Sequence, residues 1–159
     1  MKLMTPLFKK LNFKGQNECF ILNSPESFDA ELELIRPFTT VQKNLDSLNS
    51  VSFALLFLTQ QAEIEKTIHT IDSKLIDDAV LWFCYPKKSS KKYTSDINRD
   101  SGWESLGAHQ FEPVRMVAID EDWSALRFRK ANLIKKLTRN DSMLLSEAGK
   151  QRKDNSQNG

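Results

Sequence analysis

The sequence predicts a three-layer α/β domain, a mostly parallel β-sheet between helices on both faces, closed by an antiparallel C-terminal hairpin. Three observations predict it. Apolar runs of strand length that do not alternate recur at residues 19–22, 52–58 and 79–85, as expected of strands covered on both faces. Between them, apolar residues fall at helical spacing, most clearly Ile64, Ile68, Ile71 and Leu75, so that strand and helix alternate as a parallel sheet requires. Residues 114–119 and 123–130 then flank the short acidic turn Asp120-Glu121-Asp122, the pattern of a hairpin.

Taken in order, Thr5-Pro6 signals a helix start, with Thr5 as cap and Pro6 where no bonded N–H is lost; Leu7, Phe8 and Leu11 give that helix an apolar side. Gly15 ends it, and residues 19–22 form the first strand. Ser24-Pro25-Glu26 repeats the start signal, with Ser24 as cap, and Phe28, Leu32 and Ile35 follow at helical spacing up to Pro37. A short strand is expected at 39–42 and a polar loop at 44–50. The second fully buried strand is 52–58, and residues 59–61 open the helix whose stripe ends at Leu75. Thr94-Ser95-Asp96 is expected to cap a helix holding Ile97, Trp103 and Leu106, although Gly102 and Gly107 disfavour helix by about 1 kcal/mol each. The domain spans 5–130, with a short helical extension at 131–145 and a disordered tail at 146–159, where almost nothing is apolar. Deleting that tail should leave thermal stability unchanged.

The totals bound the function. A chain of 159 residues suits one domain with a proper core. Its formal net charge of +2 is nearly balanced, which argues against a nucleic-acid partner. The longest apolar runs, 53–58 and 79–85, fall far below the roughly 20 residues of a spanning helix, and no secretory signal opens the chain. A cytoplasmic protein without membrane contact is expected. Cys19 and Cys84 both sit in apolar runs and are expected reduced; a disulfide would need their strands to be adjacent.

The most abrupt change in the chain is at 79–96, where seven apolar or aromatic residues end at Pro86 and four lysines follow within six residues. A buried strand there delivers a basic loop to the carboxyl edge of the sheet, where ligands of open α/β sheets bind. If the first and third strands are neighbours, their ends bring Asn23, Ser24 and Thr59 together, with Lys87 and Lys88 on the same edge. Helix N-termini after Ser24 and Thr59 would add free N–H groups for an anion. Asp120 and Trp123 belong to the same expected ligand-binding set, Trp123 as a cover beside the acidic turn. Each has a plainer role as well: the lysines as a solvated loop, the acidic turn as a solvated hairpin tip or as ion-pair partners of Lys87 and Lys88, and the tryptophan as core. His69 and His109 lack ligand-spaced neighbours, so no metal site is expected, and no catalytic set can be assembled.

The motifs carry a resemblance. Residues 5–11, 22–28, 85–90 and 118–126 match in order the patterns T-P-L-x-K-K-L, L-N-x-P-x-x-F, W-P-K-K-S-S and A-V-D-E-x-W-S-G-L. They resemble a family of small, functionally uncharacterised bacterial α/β proteins, over about residues 5–130. The chain departs from the patterns at Tyr85, Ile119 and Ala125, and the family implies no activity. The element order is also similar to methyltransferase-type domains, which implies the strand order second, first, third, fourth, sixth, fifth. The glycine loop of those domains should follow the first strand, where this chain has Asn23-Ser24-Pro25, and this argues against a nucleoside cofactor bound in that way.

On these grounds no cofactor is expected, and the chain is read as a non-enzymatic binding or regulatory module for a small anionic ligand, held in a strand-end crevice. One alternative is an enzyme acting on a nucleotide or phosphorylated small molecule. Another is an RNA- or ribosome-associated protein using the lysine loop.

Overall fold

The computed structural model describes residues 4–134. The first helix, α1 (Pro6–Lys10), starts as expected: the Phe8 N–H donates to Thr5 Oγ1 at 3.0 Å. Strand β1 (Glu18–Leu22) follows. Ser24 does not cap a helix. The chain turns through Asn23 at φ 57°, runs extended through Pro25, makes a 3-10 turn at Glu26–Phe28, and only then enters α2 (Asp29–Ile35). The left-handed turn consumes the residues that would otherwise have formed a first helical turn.

Strands β2 (Thr40–Gln42) and β3 (Val51–Phe57) precede α3 (Gln61–Ile71). Leu75 is not on that helix. A 3-10 turn at Asp72–Lys74 intervenes and Leu75 opens β4 (Leu75–Pro86), yet it packs on the same apolar cluster as Ile64, Ile68 and Ile71. Its helical spacing is therefore a coincidence of burial, which periodicity cannot separate from helix. The start of β4 bulges: Leu75 pairs with Val51 but Val80 with Phe53, and Asp78 between them takes φ 53°.

The helix expected from residues 94–96 is confined to α4 (Glu104–Ala108). Ser95 and Asp96 are engaged elsewhere. The Ser95 hydroxyl donates to the Thr59 carbonyl at 2.6 Å, and Asp96 Oδ1 accepts the Gln61 N–H at 2.8 Å, so Asp96 caps α3. Gly102 takes φ 102°, outside any helix. Ile97, Trp103 and Leu106 are still buried, without a common helix to carry them. Strands β5 (Phe111–Ala118) and β6 (Trp123–Lys130) form the hairpin, and a 3-10 turn covers Ala131–Leu133. Of the helical extension expected at 131–145, residues 135–145 lie outside the described residues, as does the whole segment 146–159 for which disorder was expected.

The six strands are ordered β2-β1-β3-β4-β6-β5, the order expected. The β1–β2, β1–β3 and β3–β4 pairs are parallel, whereas β6 runs antiparallel to both β4 and β5. Each face of the sheet carries its own core. Under α3 and α4 lie Phe20, Leu56, Ile64, Ile68, Leu81, Phe83, Trp103 and Phe128; under α1 and α2 lie Phe8, Phe28, Ile35, Phe53, Phe57, Trp82 and Trp123. Side chains of this size each stabilise the fold by roughly 1.5–3 kcal/mol when fully buried. Trp82 also satisfies its indole N–H on the Leu11 carbonyl at 2.8 Å, which fastens the end of α1 to the sheet. Cys19 on β1 and Cys84 on β4 are separated by β3, and both are free, buried thiols. No helix of the described residues is long and apolar enough to cross a membrane.

Candidate functional site

At the carboxyl edge of the sheet the chain direction parts: β1 is followed through α2 to β2 on one side, and β3 leads through α3 to β4 on the other. Such a switch point leaves a crevice between the diverging loops. A cavity of about 430 Å³ lies there, floored by Phe20, Leu22, Leu45 and Leu58 and rimmed by Asn23, Lys43, Asn44, Lys66 and the carboxylate of Glu63, which is itself engaged by the Thr59 and Gln60 N–H groups. The floor belongs to the core beneath α3. The left-handed turn at Asn23 places that residue on the rim, and Lys43 and Asn44 arrive directly after the last residue of β2. Neither the Lys43 nor the Lys66 ammonium has an ion-pair partner among the described residues.

A second hollow of about 260 Å³ lies at the ends of β4 and β6, lined by Tyr85, Lys87, Lys88, Asn98, Arg99, Asp100 and Ser124 among others. Three cations face one carboxylate there. Burial raises the Tyr85 phenol above its ordinary pKa, Arg99 opposing the shift and Asp100 adding to it, so the hydroxyl keeps its proton at neutral pH.

The structure separates the expected site residues. Asn23 lines the first hollow and Lys87 and Lys88 the second. Thr59 lies between them with its polar groups engaged: its N–H and hydroxyl donate to Glu63 Oε1, both at 3.3 Å, and its carbonyl accepts from Ser95. The free N–H groups expected at the start of α3 are not free. Glu63 accepts the Gln60 N–H at 3.1 Å and Asp96 the Gln61 N–H, so two carboxylates already occupy the positive helix end. Ser24 is half-buried and lines neither hollow.

Asp120 and Trp123 also fall outside both hollows. Asp120 Oδ1 accepts the N–H groups of Asp122 and Trp123 at 2.8 and 2.9 Å, and its Oδ2 accepts the Ser27 hydroxyl at 3.2 Å, which closes the hairpin turn and ties it to the loop after β1. Trp123 is core, its ring 5.2 Å from Phe57 and 4.9 Å from Tyr93 between centroids, and its buried indole N–H has no partner among the described residues. The acidic turn holds the lysine loop without ion pairs to Lys87 or Lys88. The Ser90 hydroxyl donates to Asp122 Oδ1 at 2.8 Å and the Lys87 N–H to the Asp122 carbonyl at 2.7 Å.

Lys43, Asn44, Lys66 and Arg99 were not foreseen. The position of Lys43 and Asn44 right after a strand was a usable signal, whereas Lys66 and Arg99 reach their hollows only through tertiary packing. Among the described residues no group of three or more His, Cys, Asp or Glu is placed to hold a metal ion.

No family model and no curated protein matches the chain, so the resemblance to the bacterial family rests on the short motifs alone. Solved structures do match. A tRNA methyltransferase of B. subtilis, TrmK, is 10% identical, with a TM-score of 0.46 over 91% of this chain and 75% of that one. A protein of the NADB-Rossmann superfamily from Streptococcus agalactiae is 13% identical, with a TM-score of 0.46 over 99% and 84%. A putative type 11 methyltransferase from Sulfolobus solfataricus is 7% identical, with a TM-score of 0.43 over 83% and 92%. The fold class itself stands on the topology described above, a Rossmann-like sheet with parallel central strands and both faces covered.

The expectation of a non-enzymatic binding or regulatory module is corrected at this point. Two of the solved structures above, TrmK and the putative type 11 methyltransferase, bear the names of enzymes, and the expectation of a non-enzymatic module is dropped. At these identities and TM-scores the likeness concerns the fold, and no substrate, cofactor or reaction is taken from it.

Proposed function

We propose that the chain is an enzyme acting on a nucleotide or another phosphorylated small molecule bound in the switch-point crevice. One observation carries this reading: an apolar floor of Phe20, Leu22, Leu45 and Leu58 beside two ammonium groups, Lys43 and Lys66, that have no ion-pair partner among the described residues. Small-molecule sites combine an apolar lining with a few placed polar groups. A base or another flat apolar group would lie on the floor, the phosphates would meet Lys43 and Lys66, Asn23 offers both donor and acceptor to hydroxyls, and Asn44, whose Oδ1 accepts the Asp46 N–H, offers its amide donors. Lys87, Lys88 and Arg99 in the second hollow would receive a further anionic part of the substrate.

The reading is tested by titrating ADP and a sugar phosphate into the wild type and into Lys43→Ala/Lys66→Ala. The double variant should bind at least about tenfold more weakly, a loss of about 1.4 kcal/mol. Mass spectrometry of the incubated compounds then reports chemical change. If the wild type binds neither probe, or the variant binds equally well, the crevice is not the site. Binding with no chemical change across a panel of nucleotides and sugar phosphates would overturn the enzyme reading.

A further inference from the structure

The face of the hairpin opposite the crevice changes character along its length. On β6, Trp123 and Ala125 are buried in the core beneath α1 and α2, and the next two residues on that face are Arg127 and Arg129. On β5 the matching pair is Val117, buried, and then Arg115, exposed. Arg115 stands directly opposite Arg127 in the antiparallel register, and such partners have Cβ atoms about 4.5–5.5 Å apart. Like charges placed opposite each other destabilise a sheet, so this arrangement opposes folding unless an anion offsets it.

The three guanidiniums are not equivalent. Arg129 is held by Asp78 through two bonds, Nε to Oδ1 and Nη2 to Oδ2, both at 2.8 Å, and Glu112 stands opposite it in register. Arg115 and Arg127 have no ion-pair partner among the described residues. Arg127 is half-buried, and its Nε–H is buried with no acceptor among them. Burial lowers its pKa from the ordinary arginine value, Arg129 adding to the shift, Asp78 opposing it and Arg115 adding further. A buried donor without an acceptor costs about 1–3 kcal/mol.

We infer that Arg115 and Arg127 form a binding site for a phosphate monoester group on the α1/α2 face of the hairpin. A phosphate monoester carries about −1.5 to −2 charges at pH 7, enough to offset two guanidiniums, and offers oxygens to both planar forks at once. A carboxylate carries a single charge and would leave one guanidinium uncompensated. The Asp78–Arg129 pair forms one side of the site and keeps Arg129 from folding over it. The site lies on the other face of the sheet from the crevice, whose floor belongs to the α3 core, so it does not depend on the reading of that crevice.

The test uses the full chain, with inorganic phosphate and phenyl phosphate as probes and acetate as the monoanionic comparator. Arginine side-chain NMR follows the Arg127 Nε–H resonance. Both phosphates are expected to move it saturably, acetate to leave it almost unmoved, and the exposed substitution Arg115→Gln to weaken phosphate binding at least tenfold. Without phosphate, Arg115→Gln should melt no lower than the wild type, because it removes a repulsion. The Lys43→Ala/Lys66→Ala variant should keep the Arg127 response, which separates this site from the crevice. No saturable shift, an equal response to acetate, or unchanged phosphate binding by Arg115→Gln would each overturn the inference.

Discussion

The Ser90 hydroxyl donates to Asp122 Oδ1 at 2.8 Å, and this bond joins the lysine loop after β4 to the turn between β5 and β6. Ser90 Oγ also accepts the N–H groups of Lys92 and Tyr93, at 3.3 and 3.1 Å. One hydroxyl therefore sets the shape of the loop that presents Lys87 and Lys88. Ser90→Ala should cost about 1 kcal/mol in chemical denaturation and raise amide exchange across residues 87–93. Unchanged exchange there would mean that the loop is held by other contacts.

Trp82 is fully buried and donates its indole N–H to the Leu11 carbonyl at 2.8 Å. Trp82→Phe removes both ring volume and that donor, leaving a buried carbonyl without its partner and a small void. The expected loss is about 2–3 kcal/mol, read from urea unfolding. A loss below about 0.5 kcal/mol would show that α1 docks independently of this bond.

Asp72 accepts from His109 Nδ1 at 2.8 Å and lies 3.1 Å from Lys130 Nζ. Burial raises its pKa, but the bonds and charges of His109 and Lys130 outweigh that, and the net shift is downward. A carboxylate with a depressed folded-state pKa contributes stability that is fully present above its unfolded value, about 3.9, and is lost as pH falls through the folded value. The stability difference between wild type and Asp72→Asn should therefore shrink as the pH falls below about 4. A difference that stays constant down to pH 3 would contradict this.

Burial pushes the Cys19 thiol up to about 11, against the opposing effects of Thr39 and Arg36, and raises that of Cys84 well above its ordinary value. Only the thiolate is nucleophilic, so a thiol reagent at pH 8 should label neither cysteine in the native state and both in denaturant. Fast native labelling of either would show that its strand opens locally.

The central strands and the parallel character of the sheet were legible in the sequence, because doubly covered strands must be continuous apolar runs and parallel connections need intervening helices; the strand order came from the similarity of the element order to methyltransferase-type domains. Residues 123–130 were placed to the residue for a different reason: the acidic turn fixes where the strand starts, and the alternation of Leu126, Arg127, Phe128 and Arg129 turns Leu126 and Phe128 inward. The misplaced elements are those where burial mimics helical spacing. Leu75 and Ile97 are core residues on a strand and in a loop, and periodicity records burial without recording what carries it.

The site divided along the same line. Sequence alone put Asn23, Lys87 and Lys88 at the carboxyl edge, since strand ends are read locally. Only the tertiary structure decided that Asp96 and Glu63 occupy the start of α3, that Asp120 and Trp123 serve the turn and the core, and that Lys66 meets Lys43 at one crevice. It also set Arg115 opposite Arg127, twelve positions apart in the chain. Hydrogen-bond partners and charge neighbours depend on which surfaces meet across the sheet, and that is fixed by packing between distant segments.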